Sequence, residues 1–261
     1  MAIFLDNIYD MDNVVELIPK IRLDLTKEIF ESLGYNLDIT DNKINYKNYM
    51  INNLNDICLL GQDIIGINDN IGDSLISFGG GKLTINDLMK IYPNANRNYA
   101  NAILYTLDKY GNSIGLNDKG KLMVLAQLAH ESGNFRYTAE IGKGRGKKYG
   151  NPTGPYNKIY YGRGPIQITW EQNYKKISQE IFPKMGINVD IWANPDLCEQ
   201  NLVVGCAASL AWFLLPGNGK RAIACANNGD VVGLTKAING STNGLEERKR
   251  NTQKIFLSVK K

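Results

Sequence analysis

From Thr84 onward, apolar residues return at helical spacing in one segment after another, and no long stretch alternates as a strand would. Thr84-Ile85-Asn86-Asp87-Leu88-Met89 reads as a capped helix start. Tyr99 to Tyr110 gives a second helix. A third begins at Asp118, buries Leu122, Met123, Leu125, Ala126, Leu128 and Ala129, and should end near Ser132-Gly133. Further helices are expected at 170–182, 199–214, 230–238 and 245–258. Between them, 135–141 reads as a short extended stretch. Residues 142–158 read as a Gly/Pro loop with Lys143, Arg145, Lys147 and Lys148, too polar for a core. The expected fold class is mainly α, with a small strand-and-loop lobe.

The chain divides by composition. Residues 12–34 have an amphipathic pattern that Gly34 would stop, and 48–60 suggest a second short helix. The pattern then fails in a Gly-, Asp- and Asn-rich run that ends in Gly79-Gly80-Gly81, which reads as a linker at about 61–82. Two units follow from this, 1–80 and 83–261. The net charge of +4 hides a balance of −8 over residues 1–80 and +12 over 81–261. A basic unit suits an anionic partner: nucleic acid, lipid or a cell-wall polymer. No apolar run approaches the ~20 residues of a membrane span. Met1 to Asp6 lacks the basic and apolar regions of a secretory signal. The expectation is therefore synthesis in the cytoplasm, with delivery by other means if the substrate lies outside. Cys58, Cys198, Cys206 and Cys225 match no zinc spacing and read as small buried hydrophobes, with a bridge among the last three left open.

A lone histidine, His130, restricts the chemistry. A zinc site of the His-Glu-x-x-His type fails because position 134 is Asn134, and no metal or cofactor is expected. Glu131 should sit in the last turn of an apolar helix, where the dipole disfavours a negative charge. Such an environment favours a carboxyl group that keeps its proton, as a general acid must, although a solvated glutamate is the plainer reading of that position. Glu140 follows nine residues later, in a stretch that should fold back beside the helix end. Two carboxyl groups in different environments are the minimum apparatus for cleaving a glycosidic bond. In Tyr160-Tyr161-Gly162-Arg163-Gly164-Pro165-Ile166-Gln167-Ile168-Thr169, Gln167 and Thr169 would share one face of an extended segment. Amide and hydroxyl groups there suit sugar hydroxyls or a held water. Asn239 lies in Ile238-Asn239-Gly240-Ser241-Thr242-Asn243-Gly244, and reads equally as a turn residue or a sugar-binding amide.

Together these strings make residues about 83–261 resemble glycoside hydrolase family 19, which includes chitinases and phage endolysins. The carriers are Ala129-His130-Glu131-Ser132, then Tyr161 to Thr169, Asn194-Pro195-Asp196-Leu197, the apolar helix at 207–213 with Trp212, and Ile238-Asn239-Gly240 leading to Glu247-Arg248. The resemblance implies a lysozyme-like, two-lobed helical fold and inverting hydrolysis of a β-1,4 linkage to an N-acetylated amino sugar. It implies Glu131 as general acid, Glu140 as general base and Thr169 as a holder of the attacking water. By the same matching, Gln167, Asn173 and Asn239 are substrate-binding amides, Arg248 is a buried arginine near the acids, His130 lines the site, and Tyr160 and Tyr161 are candidates for sugar stacking.

The short spacing of the glutamates, the lack of the many paired cysteines of the plant enzymes and the basic balance favour a peptidoglycan-degrading, endolysin-type glycosidase. A chitinase acting on chitin oligosaccharides is the alternative. A sugar-binding protein with a dead site is disfavoured by the presence of both glutamates. A nucleic-acid binder is disfavoured because the bases are not gathered on one helix. A monomer is expected. The resemblance leaves out residues 1–80, for which docking to a delivery partner or covering the catalytic unit are the open roles.

Overall fold

The computed structural model describes residues 73–260. The helices expected at 12–34 and 48–60, Cys58 and most of the expected linker lie outside them. The described residues open with a hairpin, β1 (Leu75–Phe78) and β2 (Gly81–Thr84), paired antiparallel with Ile76 opposite Leu83 and Phe78 opposite Gly81. Gly79 and Gly80 form its turn with φ of 56° and 80°. Two successive positive φ values are what a tight hairpin turn demands. The glycines read as the end of a linker are therefore the turn of this hairpin, and Ile76 and Leu83 are fully buried. Burial of each such side chain stabilises by roughly 1.5–3 kcal/mol. Lys82 and Lys260 exchange backbone hydrogen bonds of 2.6 and 3.0 Å, which joins the end of the described chain to this hairpin.

Helices dominate the rest: α1 (Ile85–Ile91), α2 (Arg97–Tyr110), α3 (Asp118–Glu131), α4 (Glu171–Lys176), α5 (Leu197–Gln200), α6 (Leu202–Ala211), α7 (Gly219–Asn228), α8 (Val231–Asn239) and α9 (Leu245–Leu257). Thr84 and Asp87 form a full capping box on α1, as the sequence suggested. The α3 helix starts at Asn117, whose side chain accepts from the Gly120 amide, and every residue from Gly120 to Ala129 is buried. It is the central helix: α7 and α9 pack along it, with α2 and β1 also in contact.

The structure departs from the expected helices in three places. The helix expected at 199–214 breaks at Asn201, whose side chain accepts from the Val203 and Val204 amides and so starts α6 afresh. The helix expected at 170–182 widens after α4 into a π-helical turn over Ile177–Ile181. The α7 helix was not expected at all. It seats itself through Gly219, Ala222 and Ala226, small residues that leave no large apolar stripe to read. No single helix among the described residues is long and apolar enough to cross a membrane.

Candidate active site

The last turn of α3 carries His130 and Glu131. Ser132 stops the helix by turning its hydroxyl back to the Leu128 carbonyl at 2.6 Å, and the same oxygen accepts from the Phe135 amide at 3.0 Å. The chain reverses through Gly133, Asn134 and Phe135, all at φ near 60°. Phe135 then plugs the turn into the core, fully buried and edge-on to Tyr92. The reversal takes up the start of the stretch expected to be extended at 135–141, of which only Ala139 pairs, with Arg163.

Glu131 is held from α9. Arg248 is 1% exposed and donates to Glu131 Oε1 at 2.6 Å and to Gln127 Oε1 at 2.6 Å, with a longer bond from Nε to the Asn243 carbonyl. Oε2 of Glu131 has no protein partner among the described residues. Next to this pair, His130 Nδ1 lies 2.9 Å from Glu247 Oε2. The turn before α9 presses on the same imidazole: a Cβ on Gly244 would lie 2.3 Å from His130 Cε1. So His130, Glu131, Glu247, Arg248 and the 239–244 turn form one group.

Glu140 belongs to a second group, built on a ladder of isolated bridges. Its amide donates to the Gly162 carbonyl at 2.8 Å, and Gly164 donates to the Thr138 carbonyl at 2.7 Å. Arg163 and Ile168 exchange backbone bonds on the other side. Glu140 and Thr169 thus share one three-stranded patch. The Thr169 hydroxyl donates to the Gln167 carbonyl at 2.8 Å, which leaves its lone pairs free to accept from a water. The Asn173 amide donates to the Thr169 carbonyl at 2.8 Å and so fixes that residue's backbone. Gln167 has φ of 59° and turns its amide nitrogen to the Gly164 carbonyl. Asn239 uses both ends of its amide within its own turn, accepting from Ser241 and donating to the Asn243 carbonyl.

Two expectations need correction. Tyr160 is 1% exposed and donates to the Trp192 carbonyl at 2.8 Å; burial pushes its phenol up to about 12. Tyr161 is also buried, donates to Glu199 Oε2 at 2.6 Å, and has the Arg163 guanidinium 3.4 Å from its ring centre. Neither ring offers a face to a sugar. Arg163 in turn is a core residue, tied to Asp196 Oδ1 at 2.5 Å and to the Ile159 carbonyl. Burial tends to raise the Glu199 carboxyl, but bonds from Tyr161 and Lys143 outweigh it and hold it below the usual range.

The aromatic rings near Glu140, one exposed and one half-buried, are ones the sequence did not single out. Trp170 is 41% exposed and sits at φ 75°, directly after Thr169. It packs edge-to-face on Tyr149, whose hydroxyl donates to Glu140 Oε2 at 3.0 Å. Tyr149 lay hidden in a loop read as merely basic, and the only signal was an aromatic residue among lysines and glycines. Trp170 was signalled by its place beside Thr169. Among the described residues, no group of three His, Cys, Asp or Glu side chains is placed to share a metal ion.

Comparison with known proteins gives the family likeness of the segment that carries these residues. Residues 130–232 match the glycoside hydrolase family 19 model described as chitinase class I, so the family resemblance is borne out over that segment. An endochitinase of Arabidopsis thaliana is 54% identical over 94 residues, covering 34% of this chain and 30% of that protein. A basic endochitinase of Brassica napus is 30% identical over 141 residues, covering 52% of this chain and 47% of that protein. The chain thus spans less than half the length of these curated relatives. The crystal structure of a chitinase C mutant superposes with a TM-score of 0.51 at 24% identity, covering 67% of this chain and 91% of that one. That likeness gives the fold, mainly helical with a small strand lobe.

Proposed function

We propose that this chain is a glycoside hydrolase that cleaves the β-1,4 linkage of an N-acetylated amino-sugar polymer with inversion, and that chitin oligosaccharides are its substrate. The observation that carries the reading is the pair of glutamates held in separate frames: Glu131 by a buried arginine, Glu140 by a backbone ladder shared with Thr169. The segment that bears both glutamates lies within the chitinase class I match, and the endochitinase relatives favour chitin over other glycans.

In the proposed step, Arg248 holds Oε1 of Glu131, its ion-pair partner in the free protein, and Oε2 takes up the proton to be donated once substrate is bound. That proton passes to the leaving glycosidic oxygen as its bond to the anomeric carbon breaks. A water held by Thr169 gives its proton to Glu140 while its oxygen bonds to the opposite face of the same carbon. His130 and Glu247 keep the α3 end and α9 in register, and Gln167, Asn173 and Asn239 border the sugar path. No cofactor enters these steps.

Peptidoglycan is a second reading, and one observation favours it. Arg145, Lys147 and Lys148 are all exposed on the loop that follows Glu140, suited to an anionic polymer. That reading carries delivery to the wall by a holin, tail or secretion machine. The experiment runs soluble chitin oligosaccharides and purified cell walls side by side, wild type against Glu131→Gln. New reducing ends from chitin with wild type alone support the proposal, and an α-anomeric first product by NMR supports inversion. Cleavage of walls with silence on chitin would replace it by the second reading.

A further inference from the structure

Glu140 is gripped at one oxygen only. Tyr149 donates to Oε2, whereas Oε1 is buried and has no hydrogen-bond partner. The Tyr149 ring is fixed from behind by Trp170, with centroids 5.3 Å apart and planes at 77°. Trp170 itself is locked: its amide donates to the Tyr160 carbonyl at 2.9 Å, and its φ of 75° lies where a bulky side chain is strained. Strain at a residue directly after Thr169 marks a segment shaped for a purpose other than stability.

The loop that brings Tyr149 back is closed just as firmly. Gly150 packs so tightly on Gly144 that a Cβ there would lie 1.8 Å from the Gly144 carbonyl oxygen. Lys143 bonds through its amide to the Glu140 carbonyl at 3.2 Å, and its ammonium reaches Glu199 at 2.9 Å. Burial, and then the bond to Glu140, push the Tyr149 phenol upward, so it remains a proton donor through the neutral range.

We propose that Tyr149 is a positioning residue that acts through Glu140: its hydroxyl holds Oε2 and stops the carboxylate rotating, with Trp170 as its buttress. This rests on the assignment of Glu140 as general base made above.

The test is Tyr149→Phe, which keeps the ring and its contact with Trp170. On chitin oligosaccharides, kcat should fall about 10–100-fold, the scale of one hydrogen bond to a charged group, with KM within about twofold and an unchanged melting temperature. Glu140→Gln combined with Tyr149→Phe should be no slower than Glu140→Gln alone, because the tyrosine acts only through that carboxylate. Trp170→Ala should lower kcat in the same direction, and Trp170→Phe should restore most of it. A wild-type kcat in Tyr149→Phe, a loss confined to KM, or losses that multiply fully in the double variant would each overturn the proposal and leave the hydrolase reading standing. A wild type inactive on both chitin and cell walls would overturn the reading and the proposal together.

Discussion

Replacing Arg248 with methionine removes the guanidinium from the most buried charged contact near the candidate site. The side chain is 1% exposed and engages Glu131 and Gln127, each at 2.6 Å, plus the Asn243 carbonyl at 3.3 Å. Methionine fills most of the volume, so the loss is electrostatic rather than a cavity. Gln127 is fully buried, and its oxygen would be left without a donor, costing about 1–3 kcal/mol. Glu131 would lose its ion-pair partner at a side-chain exposure of 20%, and breaking one side of a buried pair costs about 3–5 kcal/mol. The two costs overlap because one group serves both, so the expected total is about 4–6 kcal/mol. For a unit of this size the melting temperature should then fall by roughly 8–24 °C. Urea unfolding followed by far-UV circular dichroism, with the slope checked against wild type, measures it directly. Arg248→Lys should recover only part, since one ammonium cannot reproduce the fork that reaches both oxygens. An Arg248→Met unfolding free energy within about 1 kcal/mol of wild type would refute the reasoning.

Further outcomes are expected. Glu131→Gln and Glu140→Gln should each lower kcat by ~10²–10⁴-fold on the substrate that wild type cleaves, measured as reducing ends; full activity in both would remove the acid/base assignment. Gly164→Ala should destabilise the fold, because φ is 72° and the new Cβ would lie 2.5 Å from the Gly205 carbonyl oxygen and 2.6 Å from Ser209 Oγ; a wild-type melting curve would contradict this. Lys260, bonded to Asp87, is the main cause that lowers the Asp87 carboxyl to about 2 from 3.8. Its folded value lies below its unfolded one, so the stability it contributes is present above 3.8 and lost as pH falls toward 2. Lys260→Met should flatten the acid limb of a melting-temperature profile between those values. A thiol reagent on the native protein should label Cys225, which is half-buried, before the buried Cys198 and Cys206; reaction of all three at one rate would show the fold to be looser than described.

Helices that rest on large apolar residues were legible in the sequence. The α3 helix is the clearest case, with an asparagine cap, a continuous buried run and a serine-glycine stop. The α7 helix was not, because alanine and glycine carry little hydrophobic signal yet permit the closest packing. The paired glycines at 79–80 show the same ambiguity: a flexible join and a tight hairpin turn use the same residue, and only the buried Ile76 and Leu83 on either side decide between them. At the candidate site, a buried Arg248 near the acids was implied by the family resemblance, but the bridges that seat Glu140 beside Gly162 were not read from the sequence, because they pair segments more than 20 residues apart. Nor was the burial of Tyr160 and Tyr161, since a hydroxyl that satisfies a backbone carbonyl or a carboxylate lets a tyrosine go inside, and sequence gives no partner for it. Tyr149 depends on a loop closing on itself over Gly144 and Gly150, a tertiary event with no periodic trace.

The paired backbone bonds between Lys82 and Lys260 set two distant points of the chain side by side. The polypeptide between them is therefore a nearly closed circuit. Force applied between residues 82 and 260 would load this pair of bonds before any load reached α3 or the glutamates beyond it.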